Sequence, residues 1–358
     1  MNIAGRAIAP GLPAYVIAEI GVNHDGDADR AIGLVDAAAD AKADAVKFQF
    51  FRATELMGRA ALLAAYQERA GEVDPIAMLR RLELSADELR PAVERAHHRG
   101  LHAIVTIFSL SLVQDALSLP WDALKTASPD LVHKPLLNAL AATGLPLIVS
   151  TGAADEAEVA RAVRWLEPAH ARLALLQCVS CYPTKADDAS LEAMGALARL
   201  FPGPIGYSDH TSGVDTGHTA ALMGATLLEK HLTLERTAPG PDHAASLEPP
   251  AFGAYARRAR DAARLRRENP DYAAKIDATL NGSVKSVLPC ELDVRRASRQ
   301  SLTTTRVIAP GERLAPGDLT FKRPGTGLLP FELDAALGRA TARAIPADTP
   351  LTAADLAP

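Results

Sequence analysis

The chain has 358 residues, enough for one large domain and one small one, and its 48% apolar and 23% charged residues are ordinary globular usage. A formal net charge of −5 argues against a nucleic-acid partner. No apolar run approaches the ~18 residues that span a membrane, and no basic start leads into a long apolar core, so neither a membrane anchor nor a signal peptide is expected. Three cysteines, Cys178, Cys181 and Cys290, suit a reducing cytoplasm. Cys178 and Cys181 have redox-motif spacing, but they close a strand rather than open a helix, which favours a structural reading.

Along the first three quarters of the chain, short β-rich runs alternate with longer Ala/Leu/Arg runs of helical period. The predicted strands are residues 14–19, 45–49, 103–106, 123–126, 146–150, 173–178, 204–208 and 226–231. Helical patterns separate them at residues 28–41, 86–98, 134–141, 156–166, 191–200 and 214–224. Eight strand–helix units predict an α/β fold, a (β/α)8 TIM barrel over residues 1–268. An open doubly wound sheet is the alternative, but no glycine fingerprint follows the first strand. The arginines between Arg257 and Arg267 fall on a helical pattern and read as a solvated face.

Residues 269–298 read as a connection: Asn269-Pro270 stops the last barrel helix, and Asn281-Gly282-Ser283 is turn-like. Residues 299–358 are β-like and punctuated by Pro and Gly. They contain a half-repeat: Val307-Ile308-Ala309-Pro310-Gly311 through Asp318-Leu319 recurs as Ala344-Ile345-Pro346-Ala347-Asp348 through Asp355-Leu356. A unit of about 60 residues is near the lower limit of independent stability, so it is expected to dock on something.

A barrel carries its chemistry at the C-terminal ends of its strands. Those ends hold Glu19, Lys47, Gln49, Thr106, Lys125, Ser150, Gln177, Ser180, Ser208, His210, Glu229 and His231. His210 and His231 close neighbouring strands and are the candidate metal ligands. Two imidazoles with open positions suit Mn²⁺, Co²⁺, Fe²⁺ or Zn²⁺ better than Mg²⁺ or Ca²⁺. Asp209, beside one ligand candidate, is placed to orient it. Lys47, Lys125, Ser128, Ser150 and Ser208 supply the cations and hydroxyls that a phosphate or carboxylate needs. The alternative is internal pairing of the two lysines with Glu19 and Glu229. Glu19 is the candidate acid/base, and Asp242 is placed to bond a polyol.

These segments resemble the sialic acid (N-acetylneuraminate) synthase family over nearly the whole chain. The resemblance runs through Ala18-Glu19-Ile20-Gly21-Val22-Asn23-His24, Val46-Lys47-Phe48-Gln49, Lys125-Thr126-Ala127-Ser128 and Val149-Ser150-Thr151-Gly152. It continues through Gln177 to Thr184, Gly206-Tyr207-Ser208-Asp209-His210-Thr211 and Glu229-Lys230-His231, and ends at Lys322-Arg323-Pro324-Gly325-Thr326-Gly327. The C-terminal unit is similar to the family's antifreeze-like (SAF) domain. The resemblance implies condensation of phosphoenolpyruvate with an N-acyl aldohexose, giving a nine-carbon 2-keto-3-deoxy acid and phosphate. It implies a divalent metal, Mn²⁺ with Co²⁺ or Mg²⁺ as alternatives, on His210 and His231. Lys47, Lys125, Ser128, Ser150, Ser180 and Ser208 match positions that hold phosphoenolpyruvate. Tyr182, Asp242 and Asp130 match the sugar side, and Arg323 matches an arginine that contacts the N-acyl group. A domain-swapped homodimer is implied, each small domain covering the other subunit's barrel.

Two departures lie beside the acceptor. Ala127-Ser128-Pro129-Asp130 replaces the usual Gly-Ser-Gly-Glu, and Thr106-Ile107-Phe108 replaces Thr-Pro-Phe. They leave open N-acetylmannosamine or a 2,4-diacetamido-2,4,6-trideoxy sugar leading to a legionaminate- or pseudaminate-like product. A pyruvate aldolase using a lysine Schiff base is the mechanistic rival. A non-catalytic binding role for the small domain is a third reading.

Overall fold

In the computed structural model, which describes residues 1–357, eight parallel strands close into one barrel. They are β1 (Tyr15–Glu19), β2 (Ala45–Phe50), β3 (His102–Ile107), β4 (Ala123–Thr126), β5 (Leu147–Ser150), β6 (Leu173–Cys178), β7 (Ile205–Asp209) and β8 (Leu227–His231). β8 pairs with β1 to complete the ring, placing His231 opposite Glu19. Each strand falls within a residue of its apolar run.

Strand alternation decides what faces the barrel axis. Tyr15, Ile17, Ala45, Ile104, Ala123, Ile148, Ala174, Leu176 and Leu227 pack into one buried cluster inside the barrel. Ile3 and Ile8, from the segment around an N-terminal hairpin (Asn2–Ile3 with Arg6–Ala7), plug it. The intervening residues, such as Val16, Val46, Phe48 and Leu228, pack outward under the helices. One step further along the inward rows the side chains turn polar. The barrel is thus apolar at one end and chemically equipped at the other.

Helix α1 (Ala28–Asp40) starts where Asp27 accepts the backbone N–H groups of Asp29 and Arg30, and it buries Ala31, Leu34, Val35 and Ala38 on one stripe. α2 (Ala86–His98) opens on a Ser85–Glu88 capping box. α3 (Lys134–Ala142), α4 (Glu156–Trp165), α5 (Ala193–Leu200), α6 (Asp215–Leu222) and α7 (Pro249–Glu268) complete the outer layer. Gly206 lets β7 lie close to β8: a Cβ there would sit 2.3 Å from the Leu227 carbonyl oxygen. Arg258, Arg260, Arg264 and Arg266 pair with Asp215, Asp44, Asp261 and Asp277, in keeping with a solvated helix face.

α7 ends at Glu268, but Pro270 then opens a further helix, α8 (Pro270–Leu280), from its first turn. The connection is therefore more helical than its turn residues suggest, and α9 (Leu292–Ser298) leads into the small domain. That domain pairs β9 (Ser301–Thr304) with β10 (Leu319–Lys322) antiparallel. The half-repeat explains its core: Ile308 bridges Ile345, and Leu314, Leu319, Leu351 and Leu356 are buried between the halves. Asp318 and Asp355, equivalent in the two copies, are buried and paired with Arg306 and Arg343. The domain docks on its own barrel through Phe321 against His133 at 4.5 Å and Phe331 against Trp165 at 5.8 Å.

Candidate active site

The inward rows end in a cluster of charge. Lys47 is ion-paired with Glu19, lies 3.5 Å from Glu229 and donates to Thr106 Oγ1 at 3.0 Å. Lys125 lies 3.9 Å from Glu229, contacts Ser150 Oγ and donates to the Thr126 carbonyl at 2.9 Å. Gln49 donates to Glu19 Oε1 at 3.1 Å, and Ser208 donates to Glu229 Oε1 at 2.9 Å. All four ionisable groups are buried.

Two carboxylates and two ammonium groups in one buried volume settle unequally. Burial pushes Glu19 up to about 7; Lys47 offsets part of this and the Glu229 charge adds to it. Burial acts on Glu229 too, but Lys125 and Lys47 outweigh it and hold that carboxyl below its usual range. Burial brings Lys125 down to about 8 against the pull of Glu229. At Lys47 the two carboxylates overcome burial and hold the ammonium above its usual value. Both lysines also line the cavity, so internal pairing does not withdraw them from it.

His210 and His231 face each other with ring centroids 5.5 Å apart. His210 Nδ1 lies 2.9 Å from the Val179 carbonyl, which fixes a proton on that nitrogen; burial is outweighed by the nearby Cys178 and Glu229, which hold the ring above the usual imidazole range, so Nε2 offers a lone pair only once its own proton is released, as on metal binding. Burial, with His210 and the nearby lysines, holds His231 well below the usual imidazole range, so it stays neutral. Its Nδ1 is buried without a hydrogen-bond partner and lies 3.7 Å from Asp242 Oδ2. Two facing imidazoles fit a divalent metal. Among the described residues no three His, Cys, Asp or Glu groups are gathered as a ready cage. The donor set therefore suits an ion that completes its shell with water or substrate oxygen.

Asp209 does not orient His210. Ser208 and His210 face inward, so the residue between them faces out. There Asp209 accepts from Thr211 N–H at 2.8 Å and lies 3.2 Å from Lys230 Nζ, both side chains fully buried. The orienting partner of His210 is the Val179 carbonyl.

The hydroxyl wall converges on Gly152. Its N–H donates to Ser128 Oγ at 3.0 Å, and a Cβ there would lie 2.3 Å from Ser180 Oγ and 2.8 Å from Ser128 Oγ. Tyr182 stacks on His210 at 4.1 Å and on Tyr66 at 4.7 Å. Burial pushes Asp242 up to about 6, with His210 and Lys47 offsetting part of the shift.

Arg323 reaches this cavity within its own chain. Its backbone N–H donates to the Leu56 carbonyl at 2.8 Å, and its guanidinium lies 5.5 Å from the Phe108 ring centroid. Within one chain, the pairing of Met57 with Arg323 and the Gln300 bond to the Phe108 carbonyl at 2.8 Å hold the small domain over the barrel mouth.

The cavity brings together Glu19, Lys47, Gln49, Lys125, Ser128, Ser150, Ser180, Tyr182, Ser208, His210, His231, Asp242 and Arg323. Asp130 does not line it. The side chain lies behind the wall, accepting from Gln300 Nε2 at 2.9 Å, with Pro129 at the surface in its place. Burial pushes Asp130 up to about 6, against the opposing pull of Arg323. Sequence reasoning missed the apolar half of the cavity. Val22, Phe51, Leu56, Met78, Leu79, Leu82 and Phe108 form it, most of them from short helices between β2 and α2. Asp74-Pro75 was the available signal, a cap and first-turn proline opening the helix Pro75–Leu82.

A NeuB family model matches residues 34–269, and a SAF domain model matches residues 299–357. An N,N'-diacetyllegionaminic acid synthase of Legionella pneumophila is 35% identical over 95% of this chain and 94% of its own length. A human N-acetylneuraminate-9-phosphate synthase is 30% identical over 89% of this chain and 85% of its own length. The crystal structure of the spore coat polysaccharide biosynthesis protein spsE from Bacillus subtilis superposes with a TM-score of 0.81 at 29% identity, covering 100% of this chain and 99% of that one. With both family models placed on the barrel and lid just described, the chain belongs to the NeuB family and carries a SAF domain at its C-terminal end.

Proposed function

We propose that this protein condenses phosphoenolpyruvate with an N-acyl aldohexose to give a nine-carbon 2-keto-3-deoxy acid and phosphate. The observation that carries the reading is one cavity holding the Glu19–Lys47–Glu229–Lys125 cluster, two facing imidazoles and a lid arginine. Lys47, Lys125 and the hydroxyls of Ser128, Ser150, Ser180 and Ser208 bind the phosphate and carboxylate of phosphoenolpyruvate. C3 of that substrate attacks the open-chain aldehyde, and the positive charge left at C2 is met by the carboxylates of Glu19 and Glu229. Water adds at C2, Glu19 accepts one of its protons and the alkoxide left on the former aldehyde oxygen takes up one in turn; the tetrahedral adduct then expels phosphate with the bridging oxygen, the proton of the C2 hydroxyl leaving with it as the keto group forms. A Glu19 carboxyl near 7 is poised for that exchange at neutral pH. When bound to His210 and His231, a divalent metal, by preference Mn²⁺, supplies Lewis-acid polarisation of the aldehyde.

The apolar half of the cavity favours the diacetamido-trideoxy acceptor over N-acetylmannosamine. Val22, Leu56, Met78 and Leu79 would cover a C6 methyl and an acetamido methyl, whereas a C6 hydroxyl there would lose its water contacts. The test is phosphate release from phosphoenolpyruvate with Mn²⁺ across a panel of both N-acyl sugars, mannose and arabinose 5-phosphate. Release with an N-acyl sugar, lost in EDTA, supports the reading; borohydride trapping of pyruvate on Lys47 or Lys125 would replace it with the aldolase.

The proposal extends to a cytoplasmic homodimer. Three free cysteines suit a reducing compartment. The resemblance implies exchange of small domains, in which the Arg323 contacts would form between subunits. Co-expressed Glu19→Gln and Arg323→Ala chains decide this. Exchange regenerates an intact site and restores activity, whereas closure within each chain leaves every site damaged.

A further inference from the structure

The segment joining the two domains lies in neither matched family region, yet it reaches under the floor of the cavity. Glu291, fully buried, accepts the backbone N–H groups of Ala153 at 2.6 Å and Ser180 at 2.7 Å through one oxygen, and that of Leu288 at 2.9 Å through the other. Lys285, also buried, donates to the Cys178 carbonyl at 3.1 Å, and its own carbonyl accepts from Glu156 N–H at 3.0 Å.

These contacts grip two strand-end loops. One runs from Ser150 through Gly152 to Ala153, the other from Cys178 through Val179 to Ser180. Ala153 adopts φ 51°, a left-handed conformation that costs a non-glycine residue free energy unless its surroundings impose it. Here they do. Glu291 holds the N–H, while Arg295 and Arg299 hold the carbonyl at 2.6 and 3.1 Å. One residue before it, Gly152 N–H meets the hydroxyl wall at Ser128 Oγ, and Val179 supplies the carbonyl that orients His210.

We propose that Glu291 and Lys285 are positioning residues for the anion-binding wall, so that the interdomain segment forms part of the active site. This rests on the function proposed above. Carboxylate acceptance of two N–H groups fixes the height of Ser180 and the turn at Gly152, and Lys285 fixes the strand end that precedes Val179. A neutral amide at residue 291 retains one acceptor but places a donor against Leu288 N–H; an alanine retains nothing.

The test is calorimetric binding of phosphoenolpyruvate without sugar, to wild type, Glu291→Gln, Glu291→Ala and Lys285→Met, beside KM values for both substrates. A supporting role predicts Kd for phosphoenolpyruvate raised about 10-fold or more, graded from Gln to Ala, with sugar KM within about twofold. A purely structural role predicts a lower Tm with unchanged Kd in the folded fraction, which would overturn the inference. Cys290 lies against Cys181, next to Glu291 and Ser180 respectively. Mild oxidation of the full chain therefore reports docking where an alanine variant fails to fold: Lys285→Met must slow Cys181–Cys290 cross-linking, and an unchanged rate contradicts the clamp. Wild type that binds no phosphoenolpyruvate would sink the functional reading itself, whereas wild-type binding retained in every variant would sink only this inference.

Discussion

Lys230→Met tests the frame that spaces the two histidines. Lys230 and Asp209 are register partners on β8 and β7, and each immediately precedes one imidazole on the opposite face. Both side chains are 0% exposed, with Nζ 3.2 Å from Asp209 Oδ1 and bonded to the Thr211 carbonyl. Methionine fills a similar volume but removes the cation, leaving a buried carboxylate bonded by Thr211 with the Tyr207 and Tyr255 hydroxyls near it. Breaking a buried pair in this way costs about 3–5 kcal/mol. For a domain of this size that is a fall in Tm of about 6–12 °C. Thermal unfolding by circular dichroism at pH 7 measures this, with Asp209→Asn/Lys230→Met as the control that removes both charges. The double variant should recover at least half the loss at pH 7. A single variant within about 2 °C of wild type would refute the reasoning.

Two further outcomes follow from the site. Glu19→Gln should lower kcat by about 10²–10⁴ and abolish an acid limb near pH 7 in the rate profile. Because the folded pKa of Glu19 is raised from 4.5 to about 7, wild type loses stability as pH rises across that window. The Tm of Glu19→Gln should therefore gain on wild type between those values, and a constant difference contradicts the assignment. Gly152→Ala puts a methyl group 2.3 Å from Ser180 Oγ. It should raise KM for phosphoenolpyruvate about 10-fold or more while sparing sugar KM, a split read in steady-state kinetics.

How much was legible depended on periodicity. The strand runs and their polar ends were written in two-residue alternation, so Glu19, Lys47, Lys125, Ser208 and His231 were placed correctly on one mouth. The same alternation already forbade Asp209 from touching His210, since neighbours in a strand face opposite sides. The apolar wall of the cavity was not legible, because Leu56, Tyr66 and Met78 come from an irregular insertion whose short helices have little period. Asp130 was placed on the sugar side by the loop's order alone; Gln300, 170 residues away in sequence, bonds its carboxylate outside the cavity lining. Glu291 was invisible because its partners are backbone groups, which leave no side-chain pattern.

The central claim is that carbon–carbon bond formation uses phosphoenolpyruvate and proceeds through water addition at C2. Phosphoenolpyruvate carrying ¹⁸O in its bridging position tests it, with Mn²⁺ and the acceptor that turns over. Mass spectrometry of both products should find the label in the released phosphate and none at the keto oxygen of the nine-carbon acid. Label retained in the keto acid would mean cleavage between phosphorus and oxygen, and would contradict the chemistry assigned to Glu19, Lys47 and their neighbours.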